Sequence, residues 1–186
     1  LFHGMTKNWR SSYVQGEKPA LIGIKNTKMG TKMASDCFKV KPSKGLSGKT
    51  TVPGDKSISD RAVMFGALAK GTTHVRGWLA AGDTEASLAT VQALGIQVDR
   101  HSKNELTVHG GELKPPKGTL NLVNAGTGIR LIAGIMCGQP FESVLHGSEQ
   151  LRRRPMKRIL TPLQMMGANI TAVNDRAPLT IKPAQM

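Results

Sequence analysis

The sequence predicts an α+β protein built from a repeated βαβαββ unit with buried helices, and three observations predict it. Strand-like and helix-like segments alternate from about residue 49, the same order of segments recurs, and matched landmarks keep nearly constant offsets. Arg61 matches Arg130, Leu94-Gly95 matches Met166-Gly167, and Leu106-Thr107-Val108 matches Leu179-Thr180-Ile181, at offsets of 69, 72 and 73 residues. Loop insertions produce such a drift, whereas chance similarity gives no reason for a shared order.

In the first unit, residues 51–113, the pattern predicts a strand over 50–52, a helix over 59–69 and a strand over 72–76. A helix over 83–94 follows, then strands over 96–100 and 105–109 around a polar turn. The second unit, residues 114–186, repeats this: strand 119–123, helix 127–137, strand 141–145, helix 155–166, strands 169–173 and 178–181. The first helix of each unit is apolar nearly all round over 62–69 and 129–136, so both are expected to be buried, with sheet wrapped around them and units packed as a prism. Gly66 and Gly134 would permit close approach there, despite a helix cost of about 1 kcal/mol each.

The chain has 186 residues, enough to bury a real core without disulfides. Its cysteines are Cys37 and Cys137; the second lies in an apolar run and reads as a buried, reduced thiol rather than half of a bridge. No apolar stretch approaches the roughly 18–20 residues that span a bilayer, so a soluble, cytoplasmic protein is expected. Residues 1–36 are polar and basic and begin with Leu; they read as a disordered leader or a cloning remnant, with a transit peptide as the alternative.

The formal net charge is +14, and residues 37–186 carry 20 Lys and Arg against 10 Asp and Glu. An acidic partner is implied. Few aromatics are present to stack bases and no nucleic-acid module is recognisable, so small phosphorylated or carboxylated ligands fit better than nucleic acid. The bland alternative is a solvated surface at lysines such as Lys103, Lys114 and Lys117.

Two Gly-rich basic segments precede the apolar helices: Pro53-Gly-Asp-Lys-Ser-Ile-Ser-Asp-Arg61 and Asn124-Ala-Gly-Thr-Gly-Ile-Arg130. Loop glycines let backbone N–H groups approach a ligand, and a helix N-terminus adds partial positive charge, so the pair reads as a phosphate site. Lys56 and Ser57 enter the first helix and Arg61 lies four residues beyond Ser57 on the same face, so ammonium, hydroxyl and guanidinium can converge on one anion. Alternatively Ser57 caps the helix and the cations are solvated. Positive charge in a first turn opposes the macrodipole by up to about 1 kcal/mol unless an anion compensates.

Arg152-Arg153-Arg154-Pro155 repeats this pattern, with Pro155 suited to a first helical position; it reads either as a solvated patch or as a ligand contact for at least one Arg. Asp83 reads as a helix cap or as a supporting site residue. Ser47-Gly48-Lys49-Thr50 imitates the end of a P-loop, but the required first glycine falls at Ser43 and Thr50 leads into a strand, so that motif is rejected. The five histidines show no ligand spacing, and no metal site and no cofactor are expected. His74, His101 and His109 fall in or beside strands, where a packed or solvent-facing ring is the default.

Taken in order, the first loop, Gly82-Asp83-Thr84, Asn124-Ala-Gly-Thr127 with Arg130, and Arg153-Arg154-Pro155-Met156 resemble the N-terminal portion of the 5-enolpyruvylshikimate-3-phosphate synthases, over residues 37–186. The related enzymes acting on a UDP-sugar fit less well, because they carry Lys-Asn where this chain has Lys56-Ser57. The resemblance implies an incomplete inside-out α/β barrel and transfer of the enolpyruvyl group of phosphoenolpyruvate to the 5-hydroxyl of shikimate 3-phosphate. In that reaction the hydroxyl adds to phosphoenolpyruvate, and the tetrahedral intermediate expels phosphate. It further implies that Lys56, Ser57 and Arg61 contact shikimate 3-phosphate. Lys56, Gly126 and Arg154 would contact phosphoenolpyruvate, Lys56 being the catalytic candidate, and Asn124, Thr127 and Arg130 would shape that subsite. Two departures are Asp60, where relatives carry His or Asn, and Val123, where they carry Gly; a carboxylate beside Arg61 would pair with it and weaken phosphate binding. Relatives have two domains and six such units, so residues 37–50 would belong with an absent second domain. This chain is then expected to be inactive without the missing half. A stand-alone module binding polyanions or nucleic acid is the competing expectation.

Overall fold

The computed structural model describes residues 42, 45 and 47–185. The proposed leader and Cys37 lie outside the described residues. Chain contacts separate residues 1–51 from a second compact unit, residues 52–186, which holds every helix and strand described below.

In order along the chain these are α1 (Lys56–Leu68), β1 (Gly71–Arg76), α2 (Gly82–Ala93), β2 (Gln97–Ser102) and β3 (Glu105–Gly110). After the linker come β4 (Leu120–Asn121), α3 (Gly126–Cys137), β5 (Ser143–His146), α4 (Glu149–Arg152), α5 (Lys157–Met165), β6 (Asn169–Val173) and β7 (Arg176–Lys182). One sheet has the order β1-β3-β2, all antiparallel; the other has the order β4-β5-β7-β6, antiparallel except for the parallel β4–β5 pair.

The duplication is visible in the registers. Val75 opposes Leu106 as Leu145 opposes Leu179, and Val98 opposes Val108 as Ile170 opposes Ile181. Both hairpins slip register at matching points, after Arg100 and after Ala172. Gly95 and Gly167 each follow a helix C-cap with φ of +86° and +94°, the left-handed conformation that ends a helix with least strain on a residue lacking Cβ.

The two copies are not equal. Residues 50–52 form no strand, so the first copy is αβαββ, and its counterpart β4 has only two residues. The second copy also gains α4, capped by Ser148, whose hydroxyl accepts from the Leu151 amide at 3.3 Å.

Apolar side chains of both copies merge into one core. Leu106 and Val108 of β3, Leu179 and Ile181 of β7, and Ile129, Ile132, Ala133 and Met136 of α3 are sealed from solvent within it. Each such Leu or Ile stabilises the fold by about 1.5–3 kcal/mol relative to exposure. The expectation of two buried helices holds for α3 but only half holds for α1, which buries Val63, Met64 and Ala67 and leaves Ile58, Phe65 and Leu68 exposed. Gly66 does allow close approach: a Cβ there would meet Val108 and Thr73 at 3.2 and 3.3 Å. Gly134 does not, since a Cβ there would find open space. Cys137 is a free, buried thiol, and burial pushes its pKa up.

Candidate functional site

Asp55, not Ser57, caps α1: its Oδ1 accepts from the Ile58 amide at 2.7 Å. Ser59 locks the turn from inside, donating to the Asp55 carbonyl at 2.7 Å and accepting from the Leu79 amide at 2.9 Å. Close approach of chain segments is compulsory here, because a Cβ on Gly54 would fall 1.9 Å from the Gly77 carbonyl oxygen. Lys56 therefore occupies the first helical position with its ammonium directed across to α2, donating to Asp83 Oδ2 at 2.8 Å. That bond, reinforced by the Asp83 charge, raises the Lys56 pKa. The macrodipole conflict expected for Lys56 is thus answered by carboxylates at Asp55 and Asp83.

Asp83 does not cap α2. It lies within the first turn, while the entry is closed by Thr84, whose hydroxyl accepts from the Ala81 amide at 3.1 Å and donates to the Leu79 and Ala81 carbonyls. Arg61 folds back to donate to the Ser57 carbonyl at 3.0 Å, which sets its exposed guanidinium beside the Lys56–Ser57 turn. Asp60 does not pair with Arg61. It is fully buried on the α2 side of α1, where, among the described residues, neither carboxylate oxygen has a hydrogen bond of normal geometry and the Ser87 hydroxyl of α2 is the one donor acting on it.

The second loop opens α3 at Gly126, where a Cβ would meet Arg154 Nη1 at 2.4 Å and Arg130 Nη1 at 3.4 Å. Only glycine leaves room for the Arg154 guanidinium over this helix N-terminus. Arg130 donates to the Gly126 carbonyl at 2.7 Å and the Pro155 carbonyl at 3.2 Å, strapping the segment around Arg154 to α3. Its pKa is lowered, first by burial and then by the charges of Arg154 and Arg158. Asn124 Oδ1 accepts from the Ser148 hydroxyl, tying the loop to the cap of α4. Val123, just before it, has φ of +48°, strained for a β-branched residue.

The arginine run does not start a helix. Arg152 ends α4, Arg153 is its C-cap and ion-pairs with Glu149, and Arg154 and Pro155 precede the Met156 cap of α5. Positive charge following α4 complements its dipole instead of opposing it. Of the three, Arg154 turns toward the two loops: its charge acts on both Arg130 and Lys56. Lys56, Arg130, Arg154 and Arg158 thus share one field, answered by Asp83 and Asp60. Arg158 lies beyond the Met156 cap on α5, outside the arginine run the sequence singles out, and only the fold brings its charge to Arg130.

The histidines sit elsewhere. His74 Nδ1 and His101 Nε2 lie 3.0 and 2.7 Å from the Thr107 hydroxyl, and His109 Nε2 lies 2.6 Å from Asp99 Oδ2, which lowers the Asp99 pKa. Among the described residues no helix is long and apolar enough to cross a membrane.

The chain is a duplicated α+β protein that gathers cations from two helix-leading loops and an inter-helix turn. More narrowly, the chain belongs to the EPSP synthase (3-phosphoshikimate 1-carboxyvinyltransferase) family, whose family model its residues 40–186 match. It is 47% identical over 147 residues to a 3-phosphoshikimate 1-carboxyvinyltransferase of Acidithiobacillus ferrooxidans, covering 77% of this chain and 34% of that protein. A namesake from Lactococcus lactis is 46% identical over 146 residues, covering 75% and 34%. A solved EPSP synthase from Acinetobacter baumannii superposes with a TM-score of 0.71 at 43% identity, over 75% of this chain and 33% of that one. The chain spans about a third of the length of the curated relatives it matches.

Proposed function

We propose that this chain supplies the anion-gripping loops of an EPSP synthase, which transfers the enolpyruvyl group of phosphoenolpyruvate to the 5-hydroxyl of shikimate 3-phosphate in the cytoplasm. The observation that carries this reading is Arg154, seated over the α3 N-terminus at Gly126 while its charge acts on Lys56 of the other loop. Two anions bound side by side need neighbouring cations on a preformed frame, which lowers the entropic cost of bringing them together.

In this reading Lys56, Ser57 and Arg61 hold shikimate 3-phosphate, and Lys56, Gly126 and Arg154 hold phosphoenolpyruvate, with Lys56 exchanging Asp83 for ligand. Asn124, Thr127 and Arg130 shape the second subsite, Arg130 as a strut. The two copies are parts of a larger prism, the inside-out α/β barrel, and catalysis needs the remaining domain as partner.

The test is a titration of isotope-labelled protein with each substrate at two salt concentrations. Saturable shifts at Lys56, Ser57 and Arg61 with shikimate 3-phosphate support the reading, as does the lack of turnover by this chain alone. If those resonances stay still while DNA of unrelated sequences shifts residues 152–158 with a steep salt dependence, the polyanion module replaces it.

A further inference from the structure

Asp60 takes no part in the anion-binding roles above and, unlike Asp55 of the same loop, caps no helix; its surroundings are unusual. It sits one helical turn after Lys56, entirely out of solvent, with both oxygens unpaired. An ionised carboxylate so placed loses its hydration and gains no well-formed hydrogen bond in return. The Ser87 hydroxyl of α2 is the donor acting on it and eases the charged form, but it divides its single proton between Asp60 and the Asp83 carbonyl at 3.3 Å. The charged groups acting on Asp60 are Lys56 and Arg61 on its own helix and Asp83 on α2. Farther along α1, at Gly66, the neighbours are Thr73 of β1 and Val108 of β3, and α3 brings Gly128 close to Ser87, where a Cβ would meet Ser87 Oγ at 2.7 Å.

We propose that Asp60 is a pH-dependent control on the anion site: its buried carboxylate, when ionised, opposes an anion at Lys56 and Arg61, and on taking up a proton it releases that opposition. The inference rests on the anion-site reading given above and deepens it. Both cations feel the Asp60 charge, and because the carboxylate lies out of solvent its charge is screened less than that of a surface carboxylate. Burial is the main influence on Asp60 and raises its pKa, so protonation falls above the usual carboxylate range. The consequence is an affinity for anions that strengthens as pH falls, by roughly three- to tenfold for the removal of one nearby charge.

Sulfate is the right probe, because it keeps its own charge between pH 4.5 and 9. Sulfate affinity would be measured by amide shifts of residues 56–61 across that range, in the wild-type chain and in Asp60→Asn, an isosteric change checked for folding by circular dichroism. The wild type is expected to bind more tightly at low pH, and Asp60→Asn to show the wild type's low-pH affinity throughout, apart from any histidine contribution common to both. Ser87→Ala, which removes the neighbouring hydroxyl, is expected to move the wild-type midpoint to higher pH. Identical pH profiles in wild type and Asp60→Asn would overturn the proposal while leaving the anion site standing. Sulfate that binds neither protein at any pH would overturn the anion-site reading itself, and this proposal with it.

Discussion

Val123 holds a left-handed backbone at the point where the second loop turns into its site, and left-handed geometry costs a β-branched residue about 1–2 kcal/mol. Val123→Gly removes that strain, and since the side chain is half exposed little packing is lost; the expected outcome is a melting temperature about 2–4 °C higher. A lower value would show that the side chain's contacts outweigh its strain. Asp60 makes a second prediction at this scale. Its folded-state pKa lies above the unfolded value near 3.8, so the native state binds the proton more tightly, and the stability this contributes is present below that value and lost as pH climbs through the folded one. Asp60→Asn should therefore be about 1–3 kcal/mol more stable than the wild type at pH 7 in urea unfolding, with the gap closing toward pH 4. An unchanged gap across pH would mean that the carboxylate is not the source.

At the scale of elements, α3 and its N-terminal glycine govern the second half of the site. Gly126→Ala must displace the Arg154 guanidinium, the mobile end of a flexible exposed side chain, so stability should change by less than about 1 kcal/mol. Affinity for phosphoenolpyruvate should nevertheless fall by about tenfold, the scale of one charge-assisted hydrogen bond. Calorimetric titration separates the two effects. Much of this element was legible in the sequence: the apolar run 129–136 forces a buried helix, and Gly95 and Gly167 mark the ends of α2 and α5. What was not legible depends on neighbours distant in sequence. The Thr50 segment looks β-like locally but has no strand to pair with, and α4 is a four-residue turn held by the Ser148 cap, too short to show periodicity. Pro155 suits a helix start, yet Arg154 and Pro155 lie in the turn before α5, where the Pro155 carbonyl accepts from Arg130. Asp60 looked like a partner for Arg61 because the two are adjacent, yet neighbours on a helix point about 100° apart, and one faces α2 while the other faces solvent.

For the whole molecule, the two copies share one core, and their boundary is topological rather than mechanical. Leu106, on the central strand of one sheet, and Leu179, on an inner strand of the other, occupy matching sites, both fully buried. Leu106→Ala and Leu179→Ala should each cost about 2–5 kcal/mol and displace a single unfolding transition reported by both copies. Two separate transitions, each sensitive to one substitution, would sink the idea of a shared core. The contact between Gly128 and Ser87 has a further consequence for how this architecture drifts over time. At that point α1, α2 and α3 converge on a single hydroxyl, with the Asp60 carboxylate on one side and a glycine lacking any side chain on the other. Positions 60, 87 and 128 are therefore expected to change as a set across descendants of this fold: a larger residue at 128 demands a smaller one at 87, and the loss of the hydroxyl at 87 favours an uncharged or self-satisfied residue at 60.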